Sequence, residues 1–146
     1  MNVVHHQEEL RVETAGRGLV DVGAEVSEIV ARSGIRTGLA VVFCTHTSAS
    51  LLIQENADPS ASHDLLAWFD RLAPEGDPRY THTLEGKDDM PSHLRAAVTR
   101  TSETIPVAAG RLTLGSWQGL FLFEHRSAPH SRRLIVHVHG EPSEPR

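Results

Sequence analysis

The sequence predicts an α+β domain, a largely antiparallel sheet or sandwich with a few flanking helices. Two observations carry this reading. Segments with strand character lie near the start of the chain and through its last third, and the helical periodicity falls mainly between them. Turn residues separate the late strands at short intervals, so the regular strand–helix alternation of a parallel βαβ sheet is missing.

From about Glu8 to Thr14 the residues alternate loosely, with Leu10 and Val12 on one side, which suits a half-buried strand. The period then lengthens: Leu19, Val22, Val26, Ile29 and Val30 recur at three- and four-residue spacing, and Gly34 follows as a helix terminator. Leu39 to Cys44 is short, apolar and rich in β-branched residues, a buried strand, with Ser50–Ile53 as its expected partner. Asp58-Pro59 opens a helix that reaches about Leu72, because an aspartate accepts from free amides and proline is preshaped for the first helical position. On that helix Leu65, Phe69 and Leu72 share a face. Pro91 opens a further helix ending near Arg100, with Leu94, Ala97 and Val98 expected on its inner side. Strands follow at about 104–107, 111–114, 120–124 and 133–139, with partners expected to succeed one another along the chain. One domain, residues 1–146, accounts for the chain, with a frayed tail over 141–146.

Composition limits the function. A net charge of -5 and thirteen arginines against one lysine, with no basic run longer than Arg132-Arg133, exclude a protein held by nucleic-acid phosphates. Arginine forks still suit a local anionic pocket. Cys44 has no partner for an internal disulfide and sits in an apolar run, the setting of a buried, inert thiol. The first ten residues carry His5, His6, Glu8 and Glu9 rather than a basic patch and an apolar stretch, and no apolar run approaches membrane-spanning length. The expectation is a cytoplasmic protein that engages no membrane.

Polar residues of chemical interest gather in three segments: His46 to Ser50 with Glu55 to Pro59, His82 to His93, and Trp117 to Arg126. Each borders a predicted strand or helix end, where side chains can be aimed into a cleft by rigid elements. The strings His46-Thr-Ser-Ala-Ser, Glu55-Asn-Ala-Asp-Pro, Glu85-Gly-Lys-Asp-Asp-Met-Pro-Ser-His93, Gly110-Arg-Leu and Gly115-Ser-Trp-Gln-Gly-Leu-Phe-Leu-Phe-Glu-His-Arg126 resemble, in order, the pattern of the YjbQ family. Ser116, where threonine is expected, and Lys87 depart from it. The resemblance implies an α+β trimer associated with a secondary thiamine-phosphate synthase activity.

His46, His82 and His93 match the family's histidines and are the candidate ligands of a divalent metal, zinc or magnesium. Three neutral imidazoles can bind zinc and leave a position for water or substrate. The competing reading is a set of separate capping and surface histidines. His137 and His139 share one strand face, for which an exposed polar face is the preferred reading over a small site. Asp58 is a candidate base as well as a helix cap, and Asp88 and Asp89 can cap the next helix, orient His93 or hold magnesium. Glu124 and Arg126 share strand parity at and just past the end of the predicted strand 120–124, so both can face a ligand as carboxylate and anion clamp, although Arg126 suits a structural ion pair equally. Ser48, Asn56, Trp117 and Gln118 complete the candidate set as substrate-binding residues, Trp117 offering either a flat platform or ordinary packing.

The leading expectation is thus a small-molecule enzyme joining a pyrimidine diphosphate to a thiazole phosphate. A metal or Arg126 would meet the departing diphosphate, and Glu124 or Asp58 the positive charge on the pyrimidine methylene. A metal-dependent hydrolase or transferase of another phosphorylated metabolite is the first alternative. A non-enzymatic trimer that binds metal or ligand is the second.

Overall fold

The computed structural model describes residues 2–142. β1 (Val4–Thr14) and β2 (Gly18–Asp21) lead into α1 (Gly23–Ser33), followed by β3 (Thr37–Cys44) and β4 (Ala49–Glu55). Then come α2 (Pro59–Leu72), α3 (Asp89–Val98), β5 (Ser102–Ala108), β6 (Arg111–Leu112), β7 (Gln118–Glu124) and β8 (His130–Glu141). A five-stranded sheet has the order β1-β8-β3-β5-β6 and a three-stranded sheet the order β2-β7-β4, every pair antiparallel. The predicted α+β class with antiparallel sheets is the observed one.

Alternation along β8 explains the layering. Arg132, Leu134, Val136 and Val138 turn inward while Arg133, Ile135, His137 and His139 turn outward, as the two-residue period of a strand requires. The inward set meets Ala40 and Val42 of β3, Leu51 of β4, Leu120 and Leu122 of β7, and Val26, Ile29 and Val30 of α1 in one core. Each fully buried Leu, Ile or Val there contributes roughly 1.5–3 kcal/mol by leaving water.

α1 ends as predicted, with Gly34 left-handed at φ 71° and its amide bonded to the Ala31 carbonyl. It begins later than predicted, however. Leu19 belongs to β2, paired with Phe123, and only the residues from Gly23 onward are helical. α2 occupies the predicted span, capped by Asp58, whose side chain accepts from the Ser60 amide. Phe69 is its buried anchor, packed edge-on against Phe123 at 5.2 Å, whereas Leu72 is exposed. On α3 the inner face is Ser92, Arg95 and Ala96; Ala97 and Val98 point outward, contrary to expectation.

Two pairing expectations are corrected. β4 does not pair with β3 but with β7, in the other sheet. Strand partners do not succeed one another except at β5–β6, which turn through Ala109 and Gly110 at φ 52° and 76°. Glu141 is not frayed, since it ends β8 opposite Thr37; residues 143–146 of the expected tail lie outside the described residues. Among the described residues no helix is long and apolar enough to cross a membrane.

Candidate functional site

Asp89, in the first turn of α3, organises a polar convergence. It is 1% exposed. Its Oδ2 lies 2.7 Å from His82 Nε2 and 3.0 Å from His93 Nε2, and its Oδ1 accepts from Arg126 Nη1 at 2.8 Å. His93 sits one helical turn beyond Asp89, on the same face, while His82 arrives from the loop between α2 and α3. Arg126, just past the end of β7, also donates from Nε to Asp88 Oδ2 at 2.9 Å and from Nη2 to the Glu85 carbonyl at 2.9 Å. Asp88 therefore stands at the helix cap without capping by side chain, because its carboxylate is spent on Arg126 and on the Ser127 amide.

The charges are mutually adjusted. Burial pulls the Asp89 carboxyl up, but the hydrogen bond from His82 and the charges of His93 and Arg126 outweigh it and hold the group below the usual carboxylate range. Asp88 behaves likewise, burial raising it and Arg126 lowering it further. The hydrogen bond to Asp88 raises Arg126.

The donor set can be tested for a cation. His93 Nδ1–H donates to the Thr47 carbonyl at 2.9 Å, so in the neutral ring Nε2 carries a lone pair and faces a carboxylate oxygen 3.0 Å away. Two lone pairs at that distance repel unless a proton or a metal ion lies between them. Glu85 adds a second carboxylate, and the ligand atoms of His82, Glu85, Asp89 and His93 all fall within 4.8 Å of one another. Two imidazoles with one or two carboxylates suit zinc or a related divalent ion, and the carbonyl behind His93 is the kind of outer partner that fixes a metal-binding ring.

His46 stands outside this group. Its Nε2 accepts from the Arg133 backbone amide at 2.8 Å, and burial, aided by the charge of Arg132, lowers its proton affinity. Of the three expected histidines, His82 and His93 converge on Asp89 and His46 does not join them. His46 and His93 nevertheless line a shared shallow cavity of about 230 Å³ with Thr47 and Thr101. Beyond His82 opens a second cavity of about 250 Å³ that includes Tyr80, Thr83, Lys87 and Met90.

Glu124 and Arg126 do not share a face. Glu124 is fully buried, ion-paired to Arg132, and accepts from Thr14 Oγ1 at 2.6 Å and from the amides of His125 and Arg126. Burial raises this carboxyl, yet the bonds from Arg132 and Thr14 prevail and keep it ionised. A carboxylate so enclosed ties the sheets together and has no lone pair for a ligand. Beside it lies a chain absent from the sequence reading: Thr99 Oγ1 is 2.6 Å from Ser50 Oγ, which is 2.8 Å from His125 Nε2. Ser48 contributes its carbonyl, which accepts from His125 N and Arg132 Nη2.

The remaining candidates gather at the opposite end of β7. Asn56 Nδ2 donates to the Ser116 and Gln118 carbonyls at 3.4 and 3.2 Å, Gln118 Oε1 accepts from Gly115 N at 2.9 Å, and Asp58 binds Ser60. Asn56 and Gln118 thereby close a turn, while Trp117 projects from it 69% exposed. Gln118 and Glu124 are the two ends of the seven-residue β7, about 20 Å apart at the usual rise, so one chain holds two polar clusters rather than one cleft.

Comparison with known proteins gives the family. The family described as UPF0047 protein YjbQ-like matches residues 8–141. The chain belongs to the YjbQ/UPF0047 family. It is 54% identical over 136 residues to a UPF0047 protein of Synechocystis, covering 93% of this chain and 92% of that one. It is 39% identical to the UPF0047 protein YjbQ of Escherichia coli, over 93% of this chain and 99% of the relative. Among solved structures, a YbjQ-like protein of unknown function from Sulfolobus solfataricus superposes with a TM-score of 0.88 at 27% identity, covering 96% of this chain and all of that one. A YjbQ/UPF0047 family protein of Clostridium acetobutylicum gives a TM-score of 0.82 at 35% identity, over 90% and 98%.

Proposed function

We propose that this YjbQ-family chain is a divalent-metal-dependent enzyme of small phosphorylated metabolites, and that thiamine-phosphate synthesis is the reaction to test first. The observation that carries the reading is the convergence of His82, Asp89 and His93 between two cavities, with Asp89 anionic and each ring nitrogen aimed at its oxygen. Asp89 and His93 are set by one helix turn, Thr47 fixes the His93 ring, and Arg126 restrains the carboxylate from its other oxygen. A bound divalent ion would supply positive charge against phosphate oxygens in the ground state and on a leaving group.

In the synthase reaction the thiazole nitrogen forms a bond to the pyrimidine methylene carbon, and the carbon–oxygen bond to diphosphate breaks, the diphosphate keeping the electron pair. Lys87, in the cavity beside His82, is the cation best placed to meet that anion, since Arg126 is committed to Asp88 and Asp89. The position of Trp117 at the far end of β7 gives weight to the second reading, hydrolysis or transfer on another phosphorylated metabolite, because within one chain no indole reaches the cavity. A homotrimer in which neighbouring subunits bring the two ends of β7 together reconciles the synthase with this geometry.

The experiment combines metal analysis with turnover of the pyrimidine diphosphate and thiazole phosphate, followed by a panel of phosphate esters. The expected result is bound metal that falls when His82 or His93 becomes Ala, with product formation falling in parallel. Turnover that survives in both variants would defeat the metal-centred reading. Metal loss without any turnover in the wild type would leave a binding protein.

A further inference from the structure

On the outward face of the five-stranded sheet, remote in sequence from the Asp89 cluster, a second set of imidazoles converges. β1 and β8 pair antiparallel with His5 opposite His139 and Gln7 opposite His137. Residues two apart on β8 point to the same side, and direct cross-strand neighbours do so as well, so this register brings His5, His137 and His139 onto one face. The ring centroids form a nearly equilateral triangle of 5.5, 5.7 and 5.6 Å, and one ring nitrogen from each lies within 4.8 Å of the others.

Two details go beyond proximity. His5 Nδ1 lies 3.4 Å from His137 Nε2, long for a hydrogen bond but close to the roughly 3.4 Å edge of a tetrahedron with zinc–nitrogen bonds of about 2.05 Å. His137 Nδ1 is 2.9 Å from Gln7 Oε1. An amide oxygen only accepts, so with Gln7 in this orientation the ring proton sits on Nδ1 and Nε2 keeps its lone pair toward the triangle. This is the outer partner that metal-binding histidines ordinarily have.

We propose that His5, His137 and His139 form a second metal site that binds a zinc-class ion through three imidazoles and leaves a fourth position open to water or an exchangeable anion. Three neutral nitrogen donors without a carboxylate select zinc, copper or nickel over magnesium and calcium, which prefer oxygen. The open position distinguishes it from a closed structural site. The proposal does not depend on the Asp89 cluster being a metal centre.

The test uses the untagged full-length chain, stripped with a chelator and titrated with Zn²⁺ by calorimetry and with Co²⁺ by visible absorption. Wild type is expected to take up two ions per chain. His137→Ala and His5→Ala should each abolish one of them or weaken it by at least 100-fold, with unchanged circular dichroism because these side chains lie outside the core. Gln7→Leu should keep the ion and weaken it about 10-fold or more, the usual effect of losing an outer partner. His93→Ala should leave this second ion untouched. A single ion that survives in His93→Ala and is lost in His137→Ala would uphold this site and count against the Asp89 cluster; the opposite pattern would overturn the site. Uptake unchanged in His5→Ala and His137→Ala alike would also overturn it.

Discussion

Arg126 spends its guanidinium on three partners, Asp88, Asp89 and the Glu85 carbonyl, in a planar arrangement that an ammonium cannot reproduce. Arg126→Lys is therefore expected to lower unfolding stability by about 1–3 kcal/mol in urea titrations, the range for charge-assisted bonds, and to weaken phosphorylated and unphosphorylated ligands equally. A loss confined to phosphorylated ligands would restore the anion-clamp role. His125 yields a pH prediction. Burial, reinforced by the charge of Arg95, depresses its pKa to about 3, and Nδ1 is buried with no hydrogen-bond partner among the described residues. Because the folded value lies below the unfolded one, its contribution is complete above about pH 6.5 and is lost progressively as pH falls toward 3. The slope reaches about 1.4 kcal/mol per pH unit when this group titrates alone. His125→Gln should flatten the stability profile in that window, and an unchanged profile would assign the acid sensitivity elsewhere. At this scale the sequence was partly readable. His82 and His93 were singled out only as members of a trio with His46, through the family pattern, and the one-turn spacing of Asp89 and His93 was a usable sign of their contact. Glu124 misled because strand parity says which residues share a side but not whether that side is enclosed; the Arg132 that encloses it stands on the inward parity of β8.

Among the elements, α2 was legible to its last residue because its limits are local chemistry: Asp58 caps, Pro59 starts, and the chain turns at Pro74. β2 was not legible. Four residues are too few to display alternation, and Leu19 and Val22 fall at a spacing that also fits a helix. The inner face of α3 escaped notice since it is polar, carrying Asp89, Ser92 and Arg95 toward the protein while Val98 faces out. The β3–β8 contact offers an element-scale test. Gly38 faces Gly140, and a Cβ added at Gly38 would lie 2.0 Å from the His139 carbonyl oxygen, a clash that side-chain rotation cannot relieve. Gly38→Ala is expected to cost about 1–3 kcal/mol in denaturant, as overpacking does, and to speed amide exchange along β8 near His139. Exchange indistinguishable from wild type would mean that the strands separate there at little cost.

For the molecule as a whole, strand pairing was the part hidden from the sequence. Hydrophobic alternation specifies the face a strand buries and not the neighbour it chooses, so β4 and β3 look like partners along the chain yet lie in different sheets. The assembly expectation belongs here too. Light scattering should give three times the 16.0 kDa chain mass, and mixing an inactive His93→Ala chain with an inactive Asn56→Ala chain should partly restore turnover if sites form across subunits. A monomer, or inactive mixtures from fully exchanged subunits, would confine each site to one chain. The place of β8 bears finally on how the protein is made. This strand inserts between β1 and β3, so neither gains its full set of backbone partners until residues 130–141 have been synthesised. While residues beyond 129 remain in the ribosomal exit tunnel, two long strand edges wait open. Closure is then a late, non-local event of the slow kind, leaving an interval in which nascent chains can pair with one another. A chain ending at residue 129 should accordingly show no cooperative unfolding transition, and pulse-labelled chains should gain protease resistance only once residues 130–141 have left the exit tunnel.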